Sequence, residues 1–265
     1  MITGEQKAHW ETFGFLILPQ LFAPEEVKVL REAAIEVVKQ QGGGNAFTSD
    51  PGFGMGTFME RHPALANWID DDRIYNIMET LLGPDFFLEH TAGAVYRGDT
   101  PWHGGFSPDK PQSYNPTIHG KIAMYFDSLR KDNGCLRVIP GSHRRPFADH
   151  LQPLSHEADE PQSMVFGIAD EDVPCIPLES EPGDVIVFTE RVFHSAYGSK
   201  TGRLQITAEY NSNPTTDEQI AELLMHHETH KWGFHPSESY INSDRPRIRR
   251  MVSRLVELGC KPFPV

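Results

Sequence analysis

Residues 118–126 read Ile118-His119-Gly120-Lys121-Ile122-Ala123-Met124-Tyr125-Phe126. Lys121, Ala123 and Tyr125 fall on one face and Ile122, Met124 and Phe126 on the other, the period of a β-strand. His119 shares the Lys121 face. One face must turn inward. If that face carries Lys121, a cation is buried and needs an anion beside it.

Working outward, residues 86–97, 173–178, 184–188 and 203–211 are further β-rich runs, separated by Gly, Pro, Asn and Asp turns. Upstream, residues 6–12 read as a short helix and 14–19 as a strand. Ala23-Pro24-Glu25-Glu26 starts a helix, with proline in the first turn and acids at the positive end of the dipole. Residues 71–82, 215–230 and 244–258 also read as helices. Helices followed by many short strands predict a mainly β protein: an antiparallel sandwich or barrel with helices packed outside. The expected organisation is one domain over residues 1–265, with a helical part to about 82, a β core over about 86–212 and C-terminal helices over about 215–260.

The net charge of −13 argues against a broad grip on a nucleic acid polymer or an anionic membrane. Cys135, Cys175 and Cys260 lack CxxC spacing and read as reduced thiols of a cytoplasmic protein. Residues 1–10 lack a signal-peptide pattern, and the longest apolar stretch, 13–22, is broken by Pro19. A soluble protein is expected. Arg245, Arg247, Arg249, Arg250 and Arg254 on the last helix read as a solvated face opposite an apolar stripe.

Three segments carry chemistry. They are Thr100-Pro101-Trp102-His103-Gly104-Gly105, then Asn133-Gly134-Cys135-Leu136-Arg137-Val138-Ile139-Pro140-Gly141-Ser142-His143, then Pro182-Gly183-Asp184 with His194 and Arg203 beyond it. Together they resemble the phytanoyl-CoA dioxygenase-like branch of the Fe(II)/2-oxoglutarate oxygenases over about residues 10–212. The resemblance implies a double-stranded β-helix of the jelly-roll or cupin type, with Fe(II) on His103 and His194, 2-oxoglutarate chelating the metal, and O2 taking a further place. It implies that Arg203, nine residues past His194, answers the distal carboxylate of 2-oxoglutarate with paired charge-assisted hydrogen bonds. Tyr96 and Trp102 are expected to line the pocket. Gln205 and Thr207 follow Arg203 at strand period and are expected to reach the cosubstrate. Lys121, His119 and Tyr125 are candidate substrate contacts. His143 is expected to be structural.

One position departs from the family. Non-haem iron in oxygenases takes two His and one carboxylate, and the family's Asp position holds Gly105. A His-x-Gly pattern is similar to that of Fe(II)/2-oxoglutarate halogenases, in which chloride occupies the vacated place. The resemblance therefore implies chlorination of an unactivated aliphatic carbon. Alternatives stay open: Asp99 or Asp109 completing the metal site, hydroxylation with water in the empty place, or an inactive small-molecule binding module. His226-His227-Glu228-Thr229-His230 lacks the His-Glu-x-x-His spacing of a zinc protease. Lys110, Lys121, Arg137 and Arg144 suggest a local anion site, and with it a phosphorylated small molecule such as a nucleotide. Residues 42–60 and 104–117 are candidate lids. Substrate and oligomeric state are not legible.

Overall fold

The computed structural model describes residues 2–43, 45–48, 52–104, 117–155, 164–199, 202–229 and 233–263. Helix α1 (Gly4–Phe13) starts on a capping box between Thr3 and Gln6 and runs into β1 (Phe15–Leu18). Helix α2 (Pro24–Gly42) has proline in its first turn, and the Glu26 carboxylate accepts from the Ala23 amide at 2.8 Å. Strand β2 (Gly52–Gly56) precedes α3 (Pro63–Ile69) and α4 (Asp72–Leu82), the latter capped by Asp71. The β-rich region supplies β3 (Phe87–Tyr96), β4 (Thr100–His103), β5 (His119–Tyr125) and β6 (Leu136–Val138). After the short helix α5 (Phe147–Leu151) come β7 (Ile176–Leu178), β8 (Val185–Phe188), β9 (His194–Ala196) and β10 (Arg203–Asn211). Helices α6 (Asp217–Thr229), α7 (Glu238–Ile241) and α8 (Pro246–Glu257) follow.

The strands form two antiparallel sheets, one of six in the order β1-β8-β5-β10-β3-β2 and one of four in the order β4-β9-β6-β7. Ile122, Met124, Val187 and Ile206 on the outer face of the larger sheet pack with Leu30, Val37, Ile74, Met78 and Met251 of the helices. Ala123, Tyr125, Ile186 and Phe188 on its inner face meet Leu136, Val138 and Leu178 of the smaller sheet. The alternation of residues 118–126 is thereby resolved, and the Lys121 face is the inner one.

Two sequence expectations need correction. Within the expected lid at 42–60, Gly52–Gly56 is an edge strand, paired with β3 from Gly52↔Tyr96 to Gly56↔Ala92. Its glycines give it little intrinsic strand preference, so the ladder to β3 holds it in place. Of the other expected lid, residues 105–116 lie outside the described residues. The basic face of α8 is solvated only in part: Arg249 is exposed, and other arginines reach back to the fold. Arg245 pairs with Asp70 at 2.5 Å and Arg247 with Asp72 at 2.6 Å, while Arg250 donates to the carbonyls of Pro84 (3.0 Å) and Phe86 (3.1 Å). Among the described residues, no helix is long and apolar enough to cross a membrane.

Candidate active site

Strands β4 and β9 place His103 directly opposite His194, with ring centroids 4.0 Å apart. Each Nδ1 lies 2.8 Å from the carbonyl oxygen two residues earlier, Pro101 for His103 and Val192 for His194. A carbonyl only accepts, so both Nδ1 atoms carry the proton and both Nε2 atoms keep a lone pair. Desolvation by the surrounding atoms pushes the imidazole of His103, itself surface-exposed, below its usual range, and burial together with His103 pushes His194 well below it. Two neutral imidazoles with oriented, unprotonated nitrogens are the donor set a divalent metal needs.

The backbone around the pair is tightly specified. Gly104 has φ +130°, and a Cβ there would sit 2.5 Å from the Val192 oxygen that orients His194. The Pro140–His143 stretch staples the pair from the other side. Ser142 Oγ accepts from the Phe193 amide at 2.7 Å, and the Ile139 amide donates to the Phe193 carbonyl at 2.9 Å. His143 contacts the Glu11 carbonyl through Nε2 at 3.3 Å and is not a third ligand.

Arg203 is buried at the start of β10, opposite Tyr96. Its Nη1 donates to the Gly134 carbonyl, and its Nε is buried with no hydrogen-bond partner among the described residues. A buried guanidinium without a carboxylate is costly, and an anionic ligand would satisfy it. Gly134 has φ +94°, and a Cβ there would meet Arg203 Cδ at 3.1 Å. Gln205 pairs with Tyr125 and Ala94, and Thr207 with Ala123 and Ala92. Burial raises the Tyr125 phenol, so its hydroxyl keeps its proton.

Trp102 is not in this space, contrary to the sequence expectation. It neighbours His103 on β4, so strand alternation turns it to the opposite face. There it is fully buried with Phe193 and Leu154, and its indole Nε1 donates to the Asp170 carbonyl at 2.8 Å.

The anion that Lys121 needs is Glu209, its cross-strand partner on β10, at 2.7 Å; Glu190 is a second. Glu209 also lies 3.3 Å from His90 Nε2 and 3.3 Å from His119 Nε2. Burial opposes ionisation of Glu209, but His90, Lys121 and His119 hold its carboxyl well below the usual range. Sequence reasoning missed Glu209, His90 and Glu190. The first was within reach, because it extends the Arg203, Gln205, Thr207 period by one step. The others are brought in by strand pairing and by the turn after β8.

Among the described residues, no Asp or Glu joins His103 and His194 in a group with ligand atoms within 4.8 Å of one another. Asp99 is engaged elsewhere, accepting from the Gly198 amide at 2.7 Å. Gly105 and Asp109 lie outside the described residues. The groups that do meet that limit, Glu89 with His90 and Glu209, and His119 with Glu190 and Glu209, share the carboxylate that already holds Lys121. His227 belongs to the C-terminal packing, its Nε2 accepting from the Lys261 amide at 3.0 Å.

The fold and this site define a non-haem oxygenase architecture. The model of the phytanoyl-CoA dioxygenase (PhyH) family matches residues 10–205, so the chain belongs to that family, within the Fe(II)/2-oxoglutarate oxygenase superfamily. Among curated proteins, it is 24% identical over 221 residues to the ectoine dioxygenase of Sphingopyxis alaskensis, covering 76% of this chain and 72% of the relative. Among solved structures, HygX of Streptomyces hygroscopicus with nickel and 2-oxoglutarate superposes with a TM-score of 0.66 at 20% identity, covering 82% of this chain and 89% of HygX. EctD of S. alaskensis with 2-oxoglutarate and 5-hydroxyectoine gives a TM-score of 0.61 at 20% identity, covering 80% of this chain and 76% of EctD. These likenesses establish the double-stranded β-helix, a cupin-like fold.

Proposed function

We propose that the chain is an Fe(II)/2-oxoglutarate-dependent halogenase that chlorinates an unactivated aliphatic carbon of a small molecule. The observation that carries this reading is the glycine, Gly105, two residues past His103, together with the lack of any described carboxylate that joins the His103–His194 pair. In this reading His103 and His194 ligate the metal through Nε2. Arg203 anchors the distal carboxylate of 2-oxoglutarate, and Gln205, Thr207 and Tyr96 flank it. Tyr125, Lys121 and His119 border the substrate side.

Bound iron and 2-oxoglutarate supply the oxidising power, with O2 as oxidant and succinate and CO2 as products. One substrate hydrogen is exchanged for chlorine, one chloride and one proton are consumed, and water leaves. The chain's part is positional. Its two neutral imidazoles add no charge to the metal, and glycine leaves a place where chloride restores the charge of the missing carboxylate. The orphaned Arg203 Nε counts against an inactive binding module, because a site with no anion to hold has no use for it.

Hydroxylation by the same machinery is the second reading. It is supported by the dioxygenase activities named for curated relatives such as the S. alaskensis enzyme. Anaerobic titration of the Fe(II)·2-oxoglutarate complex with chloride separates the two. A saturable, chloride-dependent shift of the visible chelate band supports halogenation. A chelate band that ignores chloride supports hydroxylation, and no chelate band at all removes both.

A further inference from the structure

Four cations were expected from the sequence to form an anion site, and those described do not converge. Arg137 donates to the carbonyls of Glu171 (2.7 Å) and Lys131 (2.9 Å), and Arg144 donates to the carbonyl of Glu11. Lys110 lies outside the described residues. Lys121 stands instead in a mixed cluster on the inner face, between Glu209 at 2.7 Å and Glu190. His90 Nε2 and His119 Nε2 each lie 3.3 Å from Glu209. Glu89 joins them through a bulge. His90 pairs with Glu209 and Leu88 with Tyr210, so Glu89 is the extra residue of β3. Its carboxylate accepts from Asn211 Nδ2 at 2.6 Å.

We propose that this cluster is the substrate-recognising wall of the site, and that it takes an uncharged, polyhydroxylated small molecule of the sugar or cyclitol class, whose hydroxyls are held by Glu190, Lys121 and His90. The assignment deepens the halogenase reading and rests on it for the identity of the reaction.

Position is the first argument. Lys121 is the cross-strand partner of Phe188, and its Nζ lies 6.0 Å from the centre of that ring. The Phe188 ring centroid is in turn 5.2 Å from that of His194. Behind burial and the Pro101 carbonyl, the next influences on the His103 imidazole are the charges of Glu190 and Lys121. The cluster therefore adjoins the metal pair. Arg203 and Glu209 stand six residues apart on β10, roughly 20 Å, so the cluster is clear of the guanidinium assigned to 2-oxoglutarate.

The charge pattern is the second argument. The Glu190 side chain is 39% exposed and those of Lys121 and His90 are 19% exposed, while Glu209 behind them is 5% exposed. Burial opposes a proton on His90, but Glu209 and Glu89 outweigh it and raise the imidazole to about 9. At neutral pH Lys121 and His90 thus answer Glu190 and Glu209. His119 accepts from the Glu190 amide through Nδ1 at 3.4 Å, which leaves its Nε2 as a neutral donor to Glu209. Burial raises Glu89 to about 7, so it is only partly ionised. The open edge therefore offers donors and acceptors side by side with little net charge. An ammonium group there meets Lys121 and His90, and a phosphate or carboxylate meets Glu190, so each is opposed by a like charge. A hydroxyl donates and accepts at once, which suits a carboxylate beside a cation. The network also has spare capacity, since His90 Nδ1 has no hydrogen-bond partner among the described residues and lies 3.9 Å from Glu89.

The test is saturation-transfer-difference NMR on the full-length chain with Zn(II) and excess 2-oxoglutarate. The probes are neutral polyols (myo-inositol, glucose and ribose), putrescine as a cation and ribose 5-phosphate as an anion. Saturable binding of at least one polyol is expected, with ribose 5-phosphate weaker than ribose and no saturable signal from putrescine. Glu190→Gln should weaken polyol binding by about tenfold, the loss of one charge-assisted hydrogen bond. Glu209→Gln should abolish it, and the partly exposed Glu190 position keeps the test readable if that buried change unfolds the chain. No saturable binding of any polyol, a preference for putrescine or for ribose 5-phosphate, or wild-type affinity in Glu190→Gln would overturn the assignment. A failure of the halogenase reading shows separately, as a chelate band indifferent to chloride while the polyol still binds.

Discussion

His103 and His194 are cross-strand partners, and each ring has its Nδ1 2.8 Å from the carbonyl two residues earlier in its own chain segment. The same local geometry, repeated on β4 and β9, fixes two tautomers at once and turns both Nε2 lone pairs to the space between the sheets. Neither ring depends on a carboxylate for its orientation. A metal held here gains no negative charge from the protein through these ligands, which makes the residue two places past His103 decisive.

Gly105→Asp tests that residue. The variant supplies the carboxylate that the family has and the chain lacks. Chloride should then cease to shift the chelate band, while the band itself still forms with Fe(II) and 2-oxoglutarate. Any chlorinated product should disappear, with hydroxylated product or uncoupled succinate formation in its place.

Arg203→Gln should weaken 2-oxoglutarate binding by about 30-fold or more, since truncating one partner of a buried charged pair costs roughly 2–5 kcal/mol. Arg203→Lys should fall between, keeping the charge with one contact where the guanidinium makes two. Gly134→Ala is expected to act in the same direction, because its Cβ would crowd Arg203 Cδ at 3.1 Å on a backbone with φ +94°. Titration of each variant by chelate absorbance measures all three.

Trp102→Phe separates structure from chemistry. The substitution removes the indole donor of the fully buried Trp102 from the Asp170 carbonyl, which keeps the Val173 amide at 3.3 Å, a loss of about 0.5–1.5 kcal/mol. The melting temperature should fall, and the apparent affinity for 2-oxoglutarate should stay at the wild-type value. A selective loss of cosubstrate binding with unchanged stability would return Trp102 to the pocket.

Stability should also report the inner-face cluster through pH. Burial works against the charged form of His90, but Glu209 and Glu89 outweigh it and raise the imidazole from 6.5 to about 9. A group with a raised folded-state value holds its proton more tightly when folded. Its stabilisation is complete below about 6.5 and is lost as pH rises through about 9. The melting temperature should therefore decline over pH 6.5–9, by an amount on the order of 2–3 kcal/mol of stability. His90→Gln should flatten that decline. Glu89 contributes below this window: burial raises its carboxyl from 4.5 to about 7, so its penalty develops as pH rises from 4.5 to 7.

The juxtaposition of His103 and His194 and the burial of Arg203 were foreshadowed because their motifs fix residue type and spacing together. The sequence also put Lys121, Ala123 and Tyr125 on one face, since a period of two is visible in nine residues, and left open which face turns inward. The same rule, applied to β4, would have turned Trp102 away from His103. Glu209 was one further step along β10. What stayed hidden depended on pairing between distant segments. Strand β2 is glycine-rich and is recognisable only beside β3, and Arg245 and Arg247 find partners only because Asp70 and Asp72 flank the junction of α3 and α4.

The most direct test of chloride at the Gly105 position is bromide substitution followed by X-ray absorption at the bromine edge on the anaerobic Fe(II)·2-oxoglutarate complex. A bromine–iron scattering path in the wild-type chain, absent in Gly105→Asp, is the predicted result. Bromine surrounded only by light atoms in the wild-type chain would contradict the account and leave hydroxylation as the reaction of this site.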